Sequence, residues 1–545
     1  MAALRAHWPL AAGIATLWLA IAALLAASLA ATDGHVVYAL DDPYIHMAMA
    51  KNLAQHGVLG VTRHEFTSTT SSPLWTLLLA LSFAAFGVRD GIPLLINVAL
   101  ATGVVVLAYR IIDARSSSRL ATCGVILALI FLTPLPAMVL SGTEHLLQTL
   151  LCLAFAWQTA RIAAAPRQNV SAWLYVLAPL TTAVRYEGLF LVAAAAALLA
   201  ARRRAWAALI VVLLSCIPVV LYAMLSTSHG WSWLPNALLA KGAFPRQVDS
   251  LSSAATYLSR WLMLLTASPH MLAALVLAGA AAVVAWRGSR RAPVTQDGVP
   301  ADTAGGEGPY LVMLFAAAAV LHLQFARIGS FYRYEAYLIA LAVLGSGLCV
   351  TSIVARWQID PHARRRSPAA AAVVVAVVLL ALLPLSRRAL ASLVNGPRAT
   401  RNIYQQQVQM GRFLQRFYAG QRVAINDIGA VNYLADVRSL DLWGLAQLEI
   451  AQLRRSRRYS TEDIRRLASA HGVVIAVVYE RGFARAGGLP REWIKVGEWE
   501  IPDNFICGYP TVSFWAVDPA AAPRLKRDLA AFTAKLPRGV QVRAF

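Results

Sequence analysis

Asp41 and Asp42 stand side by side about ten residues beyond the end of the first long apolar run. A carboxylate at the exit of a membrane helix is placed to take a proton at the membrane face. An isolated Asp-Asp pair is more often a helix cap or a solvated turn, so the weight comes from other charged residues that interrupt apolar sequence. His46 follows in the same segment, DDPYIHMAMAKNLAQHG. Glu144 and His145 occur in SGTEH, Arg185 and Glu187 in RYEG, Lys241 at the end of WSWLPNALLAK, and Arg333 and Glu335 in FYRYEAY. Ionisable groups in or beside membrane segments are costly and mark function by default. Each has a plainer reading: Arg and Glu two apart anchor a helix at the interface, a lysine snorkels, a lone histidine packs or caps. Together they offer a specific chemistry. An arginine fork matches phosphate oxygens and keeps its charge when partly dehydrated. A carboxylate beside a hydroxyl serves as general base. A neutralised phosphate leaves without a general acid, so one base and one cationic clamp suffice for transfer with inversion through an oxocarbenium-like state.

The elements that must position these residues are membrane helices. Of 545 residues 58% are hydrophobic and 14% charged, and the mean hydropathy is +0.57, a polytopic membrane composition rather than a soluble one. The formal net charge of +22 gathers in short Arg clusters beside apolar runs, as membrane orientation requires. No basic run carries the interleaved aromatics of a nucleic-acid module, so no nucleic-acid partner is expected. The five cysteines are scattered, with no disulfide framework and no C-x-x-C metal pair.

A span needs about 20 apolar residues. Candidates fall near 8–30, 92–111, 119–140, 145–163, 172–184, 188–201, 205–225, 262–286, 309–326, 334–355 and 368–386. Placing Arg110 to Arg119, Arg161 to Arg167, Arg202 to Arg204, Arg287 to Arg291 and Arg364 to Arg366 on the cytoplasmic side is satisfied by a single alternation of about 11 helices. The N-terminus is then inside, the region after about 387 outside, and every charged cluster named above at an outer helix end. Residues 73–88 are apolar but short and read as interfacial or re-entrant; 172–184 and 188–201 read as a hairpin. The length of the first run favours a retained anchor over a cleaved signal. The stretch 287–308 reads as a flexible linker. The segment beginning at Asp41 has the spacing of an amphipathic helix lying along the membrane.

From about 400 the pattern changes. RVAINDIGA (422–430), VVIAVVYE (473–480) and VSFWAVDP (512–519) read as strands, and STEDIRRLASAHG (460–472) as a helix capped by Ser460 or Thr461 and stopped at Gly472. The expected fold is thus a polytopic α-helical membrane domain (1–390, with an outer loop over 31–91) followed by an exported α/β domain (391–545).

At these residues a resemblance emerges. DDPYIHMAMAKNLAQHG, followed by a Thr/Ser-rich turn and SPLW, resembles the first outer loop of the GT-C glycosyltransferases, polytopic enzymes that use polyprenyl-phosphate sugars at the outer membrane face. SGTEH, RYEG and LPNALLAK are similar to the SG-x-E, R-P-E-G and P-N-x-x-x-A-K signatures of a bacterial branch that includes the arabinofuranosyltransferase B type. NDIGA (426–430) resembles the strand opening that branch's soluble domain. Tyr186 stands where Pro is usual and Thr143 where an apolar residue is common. The resemblance spans about 35 to 520 and implies a GT-C fold in the bacterial cytoplasmic membrane. It implies transfer of one sugar from a polyprenyl-phosphate donor to an envelope glycan, lipid or glycoprotein. Asp41 matches the loop-one acid that acts as base, with Asp42 its neighbour and substitute. Glu144, Arg185, Glu187 and Lys241 match cavity-lining positions, joined as substrate-binding candidates by His46, His145, Arg333, Asn426 and Asp427. Arg185 or Arg333, helped by Lys241, is expected to hold the donor phosphate. No cofactor is required; the carboxylates leave room for a divalent cation such as Mg, Mn or Ca, which the spacing does not demand. The rival class is a transporter or flippase of a lipid-linked glycan, which would share a basic cavity without needing a base; the repeat symmetry of such folds is not evident. A ligase taking polymer from a pyrophosphate carrier would need a longer late outer loop.

Overall fold

The computed structural model describes residues 7–165, 169–241, 251–289, 306–359 and 368–545. The expected linker 287–308 falls largely outside the described residues. Among those described, eight helices are long and apolar enough to cross a membrane. They are α1 (Trp8–Ala31), α4 (Ile92–Asp113), the pair α5 (Arg119–Leu132) and α6 (Leu135–Ser141) counted as one, α7 (His145–Ala164), α10 (Ala205–Ser228), α13 (Pro269–Ser289), α14 (Glu307–Phe325) and α15 (Ala336–Ile359). Between them lie α2 (Asp42–His56) and α3 (Pro73–Phe86), then α8 (Ala172–Val184), α9 (Gly188–Ala201), α11 (Asn236–Lys241) and α12 (Leu251–Ala267). The expected count of about 11 differs for a reason of length. Helices α8 and α9 have 13 and 14 residues, about 20 Å at 1.5 Å per residue against a hydrocarbon core of about 30 Å. The last expected span opens a longer helix, α16 (Pro368–Ile403). Helix α3, with 14 residues, is likewise too short to cross.

Helix α2 is buried on more than one face. Tyr44, Met47 and Ala48 pack into the core of the membrane domain, while Ile45 and Met49 pack into the core of the C-terminal domain. The helix is therefore wedged between the two. Pro43 in its first turn and Gly57 in the left-handed conformation at its end (φ 70°) set its limits.

Helix α16 runs without interruption through residue 390 into a π-turn, Tyr404–Val408, and α17 (Gln409–Phe417). The C-terminal domain carries a six-stranded mixed sheet in the order β2-β1-β3-β5-β4-β6. Strands β1 (Arg422–Ile425), β2 (Arg438–Asp441) and β3 (Ile475–Val478) are parallel, with Ala424 opposite Leu440 and Ala476. Strands β4 (Ile494–Glu500), β5 (Thr511–Ala516) and β6 (Gln541–Ala544) pair antiparallel. Helices α18 (Ala430–Leu434), α19 (Leu448–Arg455), α20 (Thr461–Ala470) and α21 (Ala522–Thr533) complete it. Ser460 caps α20 in a reciprocal box with Asp463, satisfying two otherwise orphaned backbone donors.

Candidate active site

A cavity of ≈ 430 Å³ opens where the N-termini of α2 and α7, the α8–α9 tip, α11 and the α14–α15 connection meet. Asp42, His46, Glu144, His145, Arg185, Glu187, Arg327 and Arg333 line one part of it; Leu189, Phe190, Val219, Leu234 and Phe325 line another. Asp42 and His46 lie in the first two turns of α2, and the other charged groups lie at helix starts or in the short connections between helices. Seven of the residues expected from sequence meet here. Asp41, Asn426 and Asp427 are not among the lining residues, and the side chain of Lys241, which ends α11, lies outside the described residues.

The two arginines differ in how fully they are used. Arg185 forms a two-pronged bond to Glu187 (Nε–Oε2 3.1 Å, Nη2–Oε1 2.6 Å) and a third bond from Nη1 to Glu144 Oε1 at 2.5 Å. Arg333 gives Nη2 to Asp42, to Ser330 Oγ at 3.2 Å and to Tyr334 hydroxyl at 3.4 Å. Its Nε and Nη1 are buried and have no hydrogen-bond partner among the described residues, although Arg333 is only 2% exposed. Buried charged donors left unpaired are expensive, so these two can donate to an anion. The ring of Tyr334 lies between both guanidiniums, 5.3 Å from that of Arg185 and 5.0 Å from that of Arg333. Glu144, 1% exposed, has its second oxygen 3.6 Å from His46 Nε2. His46 Nδ1 is fixed by Thr76 Oγ1 at 3.0 Å, and His145 Nδ1 by Thr143 Oγ1 at 2.9 Å.

Asp42 reaches the cavity; Asp41 turns the other way. Its Oδ2 accepts from Gly429 N at 2.9 Å and its Oδ1 from Ala430 N at 2.8 Å. Burial, reinforced by Asp427, lifts the Asp41 carboxyl to about 7. Asn426 Oδ1 accepts from Tyr479 N at 2.7 Å. Asp427 accepts from Tyr479 hydroxyl at 2.5 Å and Gln407 Nε2 at 2.9 Å. Both therefore serve the interior of the C-terminal domain, where burial raises the Asp427 carboxyl.

Sequence reading missed two supports. Arg388 of α16 donates to Glu335 Oε1 (2.8 Å) and to the carbonyls of Tyr332 (2.5 Å) and Leu132 (3.1 Å), bolting down the turn that carries Arg333. Asp441, raised to about 6 by burial, accepts from Trp443 N and Ala446 N, both at 2.8 Å. It thereby shapes a loop whose Leu445 lines the cavity and whose Gly444 and Leu445 carbonyls accept from Asn236 Nδ2 at 2.5 and 2.9 Å.

Asp41 is held by backbone N–H groups, Asp42 by Arg333 and Glu144 by Arg185. No group of three or more His, Cys, Asp or Glu among the described residues is placed to hold a metal ion.

Residues 401–515 match the model of a family described as a domain of unknown function, DUF8728. Among solved structures, ArnT from Cupriavidus metallidurans bound to undecaprenyl phosphate is similar, at 11% identity and a TM-score of 0.49 over 93% of this chain and 99% of that one. The apo state of the same protein gives 12% and 0.49 over the same shares. No curated protein matches the chain. The DUF8728 region supplies both the Asp41 partners and the cavity-lining Leu445.

Proposed function

We propose that the chain is an inverting membrane glycosyltransferase of the GT-C type. It transfers one sugar from a polyprenyl phosphate to a cell-envelope glycan, lipid or glycoprotein on the outer membrane face. The observation that carries this reading is the Arg333–Asp42 pair at the cavity wall, with two buried guanidinium nitrogens unpartnered among the described residues. Arg333 Nε and Nη1 bind the donor phosphate. The apolar wall of Leu189, Phe190, Val219, Leu234 and Phe325 takes the first isoprene units, so the cavity matches an amphiphile. Asp42 is the general base. The acceptor hydroxyl attacks the anomeric carbon as its proton passes to Asp42. The bond from that carbon to the phosphate oxygen breaks, and its electron pair leaves on the phosphate that Arg333 neutralises. Glu144, His46 and Glu187, set by Arg185, contact the sugar hydroxyls. Lys241 is assigned as a helper for the phosphate. The proposed chemistry draws on no cofactor. The motif resemblance puts arabinofuranose first among sugars to test.

The test is release of free polyprenyl phosphate by purified protein given polyprenyl-phosphate sugars and envelope extract. Turnover lost in Asp42→Asn while the donor still binds is the expected result. Full activity in Asp42→Asn removes Asp42 as base, and binding without turnover for any sugar turns the reading to a flippase.

A further inference from the structure

We propose that the DUF8728 region is part of the catalytic apparatus, because the backbone N–H groups of Gly429 and Ala430 clamp Asp41 and so hold Asp42 in place. The inference rests on the reading of Asp42 as base. Asp41 and Asp42 share one peptide unit, so any displacement of the first moves the second. Both oxygens of Asp41 are taken by groups 388 and 389 residues further along the chain, which makes the contact a tertiary lock rather than a local cap. The fit admits no side chain. A Cβ added to Gly429 would lie 2.3 Å from the Asp41 carbonyl oxygen and 2.5 Å from its carboxyl carbon and Oδ2. Gly429 has a negative φ of −78°. Its need for glycine therefore comes from close approach, not from left-handed backbone.

The strip that follows is fastened to the membrane domain as well. Lys51 Nζ donates to the Tyr433 carbonyl at 2.5 Å, and Tyr433 hydroxyl donates to Asp90 Oδ1 at 2.6 Å. One end of α2 is thus clamped at Asp41 and its middle at Lys51 by a single segment, 429–433. Asp41 acts here as a positioning residue; of the two, only Asp42 touches the substrate.

The experiment compares Gly429→Ala, Asp41→Asn and the double variant in the full-length protein in nanodiscs. Gly429→Ala is expected to lower kcat by about 10²-fold, the scale of a 1 Å misplacement. Its Kd for undecaprenyl phosphate should stay within about twofold, since Arg333 is untouched. The double variant should be no slower than the slower single variant to within about twofold, because both break one contact. Hydrogen exchange at 429–430 should accelerate in each variant while strands β3 and β5 stay protected. Wild-type kcat in Gly429→Ala, or losses that multiply in the double variant, would overturn the proposal. Asp41→Asn adds no bulk and keeps the comparison when Gly429→Ala does not fold. Exchange separates this inference from the reading beneath it. Even with no turnover from any donor, protection of 429–430 that is indifferent to Asp41 overturns the clamp.

Discussion

Arg333 and Arg185 bring the same charge to one cavity, and their partners divide the work between them. Arg333 has two donor nitrogens unpaired among the described residues, so Arg333→Gln removes the charge-assisted bonds proposed to phosphate. At about 1.5–3 kcal/mol for a hydrogen bond to a charged group, undecaprenyl phosphate should bind roughly 10- to 150-fold more weakly, read by titration of the purified protein. Arg185 is saturated by Glu144 and Glu187, so Arg185→Gln should act on stability, leaving two buried carboxylates uncompensated at about 3–5 kcal/mol. Equal losses of phosphate affinity in both variants would contradict this division. Asp41 gives a second residue-scale expectation, in pH. Its carboxyl rises from an ordinary 3.8 to about 7. Between those values the folded protein holds a proton that the unfolded chain has released. The stability so gained is full below about 3.8 and gone above about 7, with a slope of at most about 1.4 kcal/mol per pH unit. Asp441, raised to about 6, adds the same sign over the lower part of that window. The thermal midpoint should therefore fall from pH 5 to pH 7, and Asp41→Asn should flatten the stretch from 6 to 7; a midpoint that climbs with pH contradicts the assignment.

Between residue and domain, the element that matters most is the turn before α15. Gly329, Ser330, Phe331 and Tyr332 are consecutive and all left-handed, with φ of 84°, 47°, 62° and 65°. Three of them carry side chains, each costing about 1–2 kcal/mol in that conformation. The surrounding bonds enforce it: Arg388 holds the Tyr332 carbonyl and Glu335, and Glu335 Oε2 accepts from Gly329 N at 2.8 Å. Strain held this firmly beside a buried arginine belongs to preorganisation. Ser330→Gly should then separate two quantities. It relieves strain, so the thermal midpoint should hold or rise. It also removes the Oγ acceptor of Arg333, so undecaprenyl phosphate affinity should fall. A lower midpoint with unchanged affinity would mean that the turn serves stability alone. Legibility at this scale follows contrast. A carboxylate or arginine interrupting apolar sequence stands out, which is why the cavity set from Asp42 to Arg333 could be read in advance. Arg388 could not, because LSRRALAS at the end of an apolar run looks like an interfacial anchor. Asp441 stands in VRSLDLWGL, a stretch too short to read as an apolar run that a charge interrupts. Strands β1, β3 and β5 showed as apolar runs. By contrast β2 and β6 are four residues each with exposed positions, and β4 is broken by an irregularity between Lys495 and Gly497. That Asp42 rather than Asp41 faces the cavity rests on Gly429, 388 residues away, and no local pattern carries that information.

The whole molecule poses a question of sides, for which helix arithmetic supports one proposal. Eight helices among the described residues qualify as spans, and we read the apolar start of α16 as a ninth crossing. The short helices α8 and α9 form a pair, so they add two crossings or none. The total is odd either way, so the topology we propose puts the N-terminus and the C-terminal domain on opposite faces. The arginines then choose the face. Arg110, Arg115 and Arg119 flank the connection from α4 to α5, and Arg202 to Arg204 that from α9 to α10; both connections lie on the N-terminal side of this alternation, where positive residues retain a loop in the cytoplasm. The C-terminal domain is also basic, with Arg454, Arg455, Arg457 and Arg458 exposed in one turn, yet folded domains translocate largely regardless of their charge. Cysteine labelling of intact cells decides the matter. Ser456→Cys, exposed beside those arginines, should react with a membrane-impermeant maleimide, and Ser117→Cys, between α4 and α5, only after the membrane is opened. The reverse pattern would put the cavity on the cytoplasmic face, where the acceptors of an outer-face transferase are absent, and would refute the proposed function while leaving the Asp41 clamp untouched.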